Sequence, residues 1–499
     1  MIRPMSSPPH RLRPLARLGP LRFALVALAL LLIGLAWWGV LAGARGLESR
    51  RLSGANGEPL RFLAPQGATN APAVIIAHGF SGSTPFMLGF AQPLARAGYG
   101  VMLLDFDGHG SARVRLDDNS LPRNLDAAYA ALIAQPEIDP ARVALLGHSM
   151  GSGAVMSAAI ADAERYRATI AVSPTGAEVS PQSPRNLLLM AGTLEPRFAA
   201  SGRDLLARAG GANDDLAGGR GRGRRPVEGA VQPVERRLVG HAAEENGDVL
   251  HVGHVDHRPA APDRRVVWYV AHLAGWLLLV TAAAPLFPAA APAAVRRRAP
   301  WPWLGLPLGA LAAALLLAAL GRFSDISGLG GVLVGGALAL WFGALGVVWL
   351  LLGFRPPWPM GRDALWGLVL FAVLTLAFGV MAGRVWLPWW LTPERFALWL
   401  PAAVAALPWL LAAGLAQQGA SARQRAGWWL FQTAVIVAGL LLTVVVAPGL
   451  GFVTLLMPVI PAVLAGMSLA GAAIDRPWSY AIGNALFFGW LLVAIFPLA

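Results

Sequence analysis

The chain has 499 residues, of which 56% are hydrophobic and only 13% charged, with a mean hydropathy of +0.56. No single soluble domain has that composition, and the absence of cysteine excludes disulfides and thiolate metal sites. The formal charge of +13 comes from arginine alone, and because these arginines lie largely beside apolar runs, membrane topology explains them better than nucleic-acid binding does.

Residues 1–22 carry Arg3, Arg11, Arg13, Arg17 and Arg22 and precede an uncharged apolar stretch, 23–44. At 1.5 Å per residue such a stretch crosses a ~30 Å hydrocarbon core. The preceding arginines should hold the N-terminus in the cytoplasm and send the following chain outside. The run exceeds the ~7 to 15 apolar residues of a signal peptide, so it reads as an uncleaved anchor.

Most acidic residues fall within 50–265, where strand and helix patterns alternate as they do in a mostly parallel sheet covered on both faces. Pro72 to Ala77 is expected as a buried strand, Pro85 to Ala97 as a helix, Gly100 to Phe106 as a strand and Arg123 to Gln135 as a helix. Tyr166 to Ser173 and Asn186 to Ala191 follow as two further strands, joined by a connection too short to hold a lid domain. Between these pairs lies the strongest chemical signal, Gly147-His148-Ser149-Met150-Gly151, preceded by the apolar run Val143 to Leu146 and followed by the small-residue stretch Ser152 to Ala163. A serine on a tight turn from strand to helix is pushed above the sheet, with glycines two residues to either side allowing the turn. The helix N-terminus favours negative charge developing beside it.

The order of parts resembles the α/β-hydrolase fold, and within it the dienelactone-hydrolase-like and serine-aminopeptidase-like enzymes, over about residues 53–210. Three motifs carry the resemblance: His78-Gly79-Phe80, Asp105-Phe106-Asp107-Gly108-His109-Gly110 and the Ser149 turn. It implies Ser149 as nucleophile and the backbone N–H groups of Phe80 and Met150 as the oxyanion donors. The acid should follow the last of these strands, where Gly192-Thr193-Leu194-Glu195-Pro196 offers Glu195, a glutamate in place of the commoner aspartate. Asp214 and Asp215 are poorer candidates. His78, His109 and His148 lie near the site but precede or adjoin the nucleophile, whereas this fold uses the chain order Ser, acid, His.

The histidine is the anomaly. Residues 218–265 ought to supply a last strand, a histidine loop and a final helix, yet they begin with alternating Gly and Arg and continue as polar sequence with His241, His251, His254 and His257. Val249 to Gly253 is the one strand-like run, which makes His254 the candidate base. Read as the reverse complement of its coding strand, 257 to 226 permits a strand, a Glu-His loop and an amphipathic helix, the three missing parts. No metal or other cofactor is expected.

From 266 to 499 eight further spans are expected, near 268–290, 303–320, 332–353, 364–382, 397–416, 428–447, 453–473 and 480–498. With the soluble domain outside, the inner loops hold Arg296, Arg297, Arg298, Arg355, Arg362, Arg423, Arg425 and Arg476, against Arg322, Arg384 and Arg395 in outer loops. Trp301, Trp303, Trp358, Trp389, Trp390, Trp428 and Trp429 near span ends read as interface anchors, and Gly328 to Gly346 as close helix packing. The spans hold almost no ionisable group, which argues against transport. The whole reads as a membrane-anchored serine hydrolase acting outside the cytoplasmic membrane on a small-molecule ester or peptide, with the lipid bilayer as its other partner. A non-catalytic hydrolase-like binding or signalling domain on a multi-pass protein is the alternative.

Overall fold

A computed structural model describes residues 19–192, 194–210, 263–286, 296–298, 301–472 and 474–499. Helix α1 (Pro20–Ala42) leads into β1 (Leu47–Ser53), β2 (Pro59–Pro65), β3 (Ala71–Ala77), α2 (Thr84–Arg96), β4 (Gly100–Leu104), α3 (Ser120–Ile133), β5 (Ile138–His148), α4 (Met150–Ala161), β6 (Thr169–Val172), β7 (Leu187–Met190) and α5 (Pro196–Arg208). The strands form one sheet in the order β1-β2-β4-β3-β5-β6-β7, parallel from β4 through β7, with β2 antiparallel to both of its neighbours. The expected elements are present with ends shifted by a few residues: the helix placed at Arg123 to Gln135 runs from Ser120 to Ile133, and the strand placed at Tyr166 to Ser173 is only Thr169–Val172.

Period-two alternation explains why this sheet is covered twice. Ile75 points to the side where Leu125 and Leu132 of α3 and Val155 of α4 close a core with Phe62, Met102 and Leu145. Its neighbours Val74 and Ile76 point to the other side, against Met87, Leu88 and Leu94 of α2. The β1–β2 hairpin was not foreseen. Its outer strand, Leu-Glu-Ser-Arg-Arg-Leu-Ser, is half-exposed or exposed throughout and shows no apolar run.

Among the described residues eight helices are long and apolar enough to cross a membrane: α1, Arg265–Ala283, Pro302–Leu320, Gly335–Gly353, Gly361–Val385, Pro393–Gln417, Ala422–Val446 and Pro477–Ile495. A ninth span is possible only as a bent pair, Pro448–Leu456 and Ile460–Ala472, which meet at 61°. This is a multi-pass arrangement. Helix α1 packs on Arg265–Ala283, with a Cβ placed on Gly275 falling 2.9 Å from Ile33 and 3.2 Å from the Ala29 carbonyl. The sheet domain is thus inserted between two neighbouring helices. Small residues permit such approach, and Gly343 and Gly346 likewise lie against the backbone of Pro393–Gln417. Gly328 to Gly331 do not take part as expected, since they form a turn with Gly330 and Gly331 at φ 67° and 79° ahead of the helix.

The two ends of the bundle differ. One end, carrying 386–394 and 496–499, faces the sheet domain. At the other, Arg296–Arg297 pairs as a short antiparallel strand with Phe354–Arg355, Arg425 bonds Asp475 at 2.5 Å and Arg476 lies 3.5 Å from Asp363. Two expectations change here. Trp389 is no interface anchor, because it is fully buried among Phe378, Phe487 and Trp490, whereas Trp301, Trp303, Trp358 and Trp390 are exposed. Arg395 is no loop charge, because it is 1% exposed in the first turn of its helix.

Candidate active site

Ser149 occupies the junction of β5 and α4 with φ 52° and ψ −119°, a conformation an L-residue adopts only where its surroundings enforce it. Its N–H donates to the Val172 carbonyl at 2.9 Å, and its carbonyl accepts from Ser152 Oγ at 2.6 Å and Thr175 Oγ1 at 3.2 Å. The flanking glycines serve close approach rather than positive φ, which belongs to Ser149 itself. A Cβ on Gly147 would run into the backbone of Gly151 and Ser152, and one on Gly151 would lie 2.5 Å from the His78 carbonyl and 2.6 Å from that of Ala77. The serine therefore stands half-exposed at the carboxyl end of the sheet, where open α/β sheets bind ligands.

The loop after β3 lies beside it, with a Cβ built on Gly79 reaching within 3.0 Å of Ser149 Cβ. Gly82 N–H donates to Gly79 O at 2.8 Å, closing a tight turn around Phe80. Among the described residues no backbone carbonyl takes up the N–H of Phe80 or of Met150. Both amides, at a turn and at a helix N-terminus, are thus without a backbone partner.

His78 is committed elsewhere. Its Nε2 accepts from Phe106 N at 3.0 Å, so Nδ1 carries the proton and donates to Gly79 O at 2.8 Å, which ties the β3 loop to the β4 loop. Burial pushes His78 below its ordinary pKa despite the nearby Asp105, and burial together with His78 pushes His109 well below its own. His109 lies between the His78 ring, 5.1 Å away, and the Phe80 ring, 5.7 Å away. Asp105 anchors the loop by accepting from Thr84 N at 2.6 Å and Ser111 N at 2.8 Å.

Glu195 sits past β7, as expected. One of its oxygens, Oε2, accepts from Gly192 N and from Ser173 Oγ, both at 2.9 Å. Ser173, at φ 49° just after β6, is a residue sequence reasoning missed. Ser173 directly follows β6, the neighbour of β5, so this hydrogen bond holds the carboxylate one strand over from Ser149. A side chain is needed between them. Of the described histidines, His148 feels Glu195 most, yet burial holds its pKa down and its Nδ1 has no partner. His254, Asp214, Asp215 and the anomalous stretch 218–262 lie outside the described residues.

The membrane bundle meets the sheet domain at these same loops. The Phe80 ring packs on Phe452 at 4.8 Å, Leu498 N–H donates to Gly108 O at 2.8 Å, and the Arg395 guanidinium donates to Gly108 O as well as to the carbonyls of Val493 and Phe496.

With this geometry in hand, residues 68–209 match the family model described as serine aminopeptidase, S33. They form an α/β-hydrolase domain. An uncharacterised protein of Mycobacterium tuberculosis is 29% identical over 208 residues, 40% of this chain and 67% of that protein. The quorum-quenching protein AidA of Acinetobacter baumannii is 33% identical over 108 residues, 21% of this chain and 35% of its own length. Among solved structures, an esterase of the bacterial hormone-sensitive lipase family superposes with a TM-score of 0.27 at 23% identity, covering 33% of this chain and 71% of that one. Epoxide hydrolase A of Mycobacterium thermoresistibile superposes with a TM-score of 0.21 at 25% identity, covering 25% and 39%.

Proposed function

We propose that the chain is a membrane-anchored serine hydrolase cleaving an ester or amide through an acyl-enzyme. The observation that carries this reading is the backbone of Ser149, a non-glycine residue held at φ 52° between an inner strand and a helix. Its Oγ attacks the carbonyl carbon while a histidine takes its proton. The oxygen that becomes negative is met by the N–H groups of Phe80 and Met150, each such donor contributing roughly 10²- to 10³-fold in kcat. Collapse of the tetrahedral intermediate returns the proton to the departing alcohol or amine, and water then releases the acid by the same route. Glu195 would orient the histidine and stabilise its cation. His254 is the proposed base, the four described histidines being committed, misplaced or, for His272, inside a span.

The eight arginines at the bundle end away from the hydrolase domain favour that end as cytoplasmic, with the hydrolase outside. Fluorophosphonate labelling of the full-length protein in membranes tests the enzyme: labelling lost in Ser149→Ala supports it. The second reading, a non-catalytic binding domain, is favoured by the absence of a histidine between Ser149 and Glu195 among the described residues. Folded protein that never labels would establish it.

A further inference from the structure

The bundle contains a groove lined by aliphatic and aromatic side chains alone, among them Leu338, Phe342, Val453, Leu456, Ile460 and Phe496, with a cavity volume of about 90 Å³ and one open side. Its walls are Gly335–Gly353, Pro393–Gln417, Ala422–Val446, Pro477–Ile495 and both arms of the bent pair. The bend follows from sequence. Pro458 and Pro461 remove two N–H donors and clash with a continuing helix, so the chain turns by 61° where an unbroken span would have closed the space.

Three observations join this groove to the hydrolase. The helices around it are long and apolar enough to span a bilayer, and the groove offers water no hydrogen-bond partner. Leu455 and Val459 on the bent pair are exposed, placing the broken helix at the surface that lipid would cover. The groove also leads to the site: Phe496 forms part of its wall, Phe452 meets Phe496 edge to face with ring centres 6.1 Å apart and immediately precedes the lining residue Val453, and the Phe452 and Phe80 ring centres are 4.8 Å apart. Phe80 directly follows Gly79, the residue packed against Ser149.

We propose that this groove holds the acyl chain of a bilayer-resident lipid ester or amide, with the chain entering beside the broken helix and its carbonyl presented at Ser149. The inference rests on the serine-hydrolase reading for its chemistry and on the groove for its chain specificity. The headgroup would stay on the hydrolase side, because the groove offers no polar lining. Each methylene buried in such a groove is worth roughly fourfold in binding, so long chains should be strongly favoured.

The test uses full-length protein in phosphatidylcholine vesicles with p-nitrophenyl acetate and p-nitrophenyl palmitate, comparing wild type with Leu456→Trp, which fills the groove without touching the catalytic residues. The expected result is a wild-type kcat/KM at least 100-fold higher for the palmitate than for the acetate, with that ratio reduced tenfold or more by Leu456→Trp. The palmitate rate should follow its mole fraction in the vesicle rather than its bulk concentration. Equal loss on both esters, no chain-length preference, or dependence on bulk concentration overturns the proposal. A second readout needs no turnover: phosphatidylcholine with a photoactivatable acyl chain should crosslink to Leu338 and Phe496, and Leu456→Trp should suppress it. Crosslinks there in a protein that hydrolyses neither ester and binds no fluorophosphonate would keep a lipid groove and remove the enzyme. Absence of those crosslinks, or protein–protein crosslinks at the same residues, removes the groove.

Discussion

Arg395→Met should loosen the hydrolase domain from the bundle. The guanidinium is buried and has no carboxylate partner among its hydrogen bonds; it serves three carbonyls, those of Val493, Phe496 and Gly108. The first two lie at the C-terminal end of Pro477–Ile495, where carbonyls have no partner within the helix and a cation is favoured. Gly108 O keeps a second donor, the Leu498 N–H at 2.8 Å. Methionine keeps an apolar side chain there but leaves two carbonyls buried and unpaired, at about 1 to 3 kcal/mol each. Release of the guanidinium's own desolvation cost offsets part of that, so a net loss of about 2 to 4 kcal/mol is expected. At 1.36 kcal/mol per decade this is roughly a 30- to 1,000-fold faster opening. Hydrogen–deuterium exchange of the full chain in nanodiscs should show it at the Gly108 and Leu498 amides, with Arg395→Lys intermediate. Wild-type exchange at both amides in Arg395→Met would refute the idea that this side chain couples the domains.

The remaining expectations concern the site. Glu195→Gln keeps an oxygen for Ser173 and Gly192 but removes the charge that would stabilise an imidazolium, so kcat should fall by roughly 10² to 10⁴-fold with little change in melting temperature; an unchanged kcat takes Glu195 out of the mechanism. His78 and His109 are both held below the ordinary 6.5, so they stay neutral in the folded protein while the unfolded chain takes up protons. The sign follows: their contribution is intact above about pH 6.5 and is lost as pH falls below it, by up to about 1.4 kcal/mol per pH unit for each. Melting curves in detergent from pH 7.5 to 5.5 should therefore slope downward, less so in His109→Gln, and a flat profile contradicts the buried neutral state. If His254 is the base, His254→Ala should abolish turnover; if instead 226–257 is an inverted reading, the gene's complementary strand will encode a relative's final strand, histidine loop and helix.

The elbow was legible because three local signals agreed: an apolar run, Gly-x-Ser-x-Gly and a stretch of small residues that starts a helix. Glu195 was legible from its place after a strand, but Ser173, its hydrogen-bond donor, was not, since its role depends on a left-handed backbone at the end of β6. The β1–β2 hairpin escaped notice because an edge strand that buries little has no apolar alternation to reveal it. Trp389 and Arg395 were misread for one reason. Sequence shows that a residue lies near a span's end but not which domain or loop docks there, and here the chain around Trp389 folds back into the bundle while Arg395 meets Gly108.

The most direct measurement is fluorophosphonate labelling of the intact protein in its membrane, with mass-spectrometric localisation of the adduct. The serine-hydrolase account predicts one modified residue, Ser149, and no adduct in a folded Ser149→Ala variant. An adduct elsewhere, or none on folded wild-type protein, would contradict it.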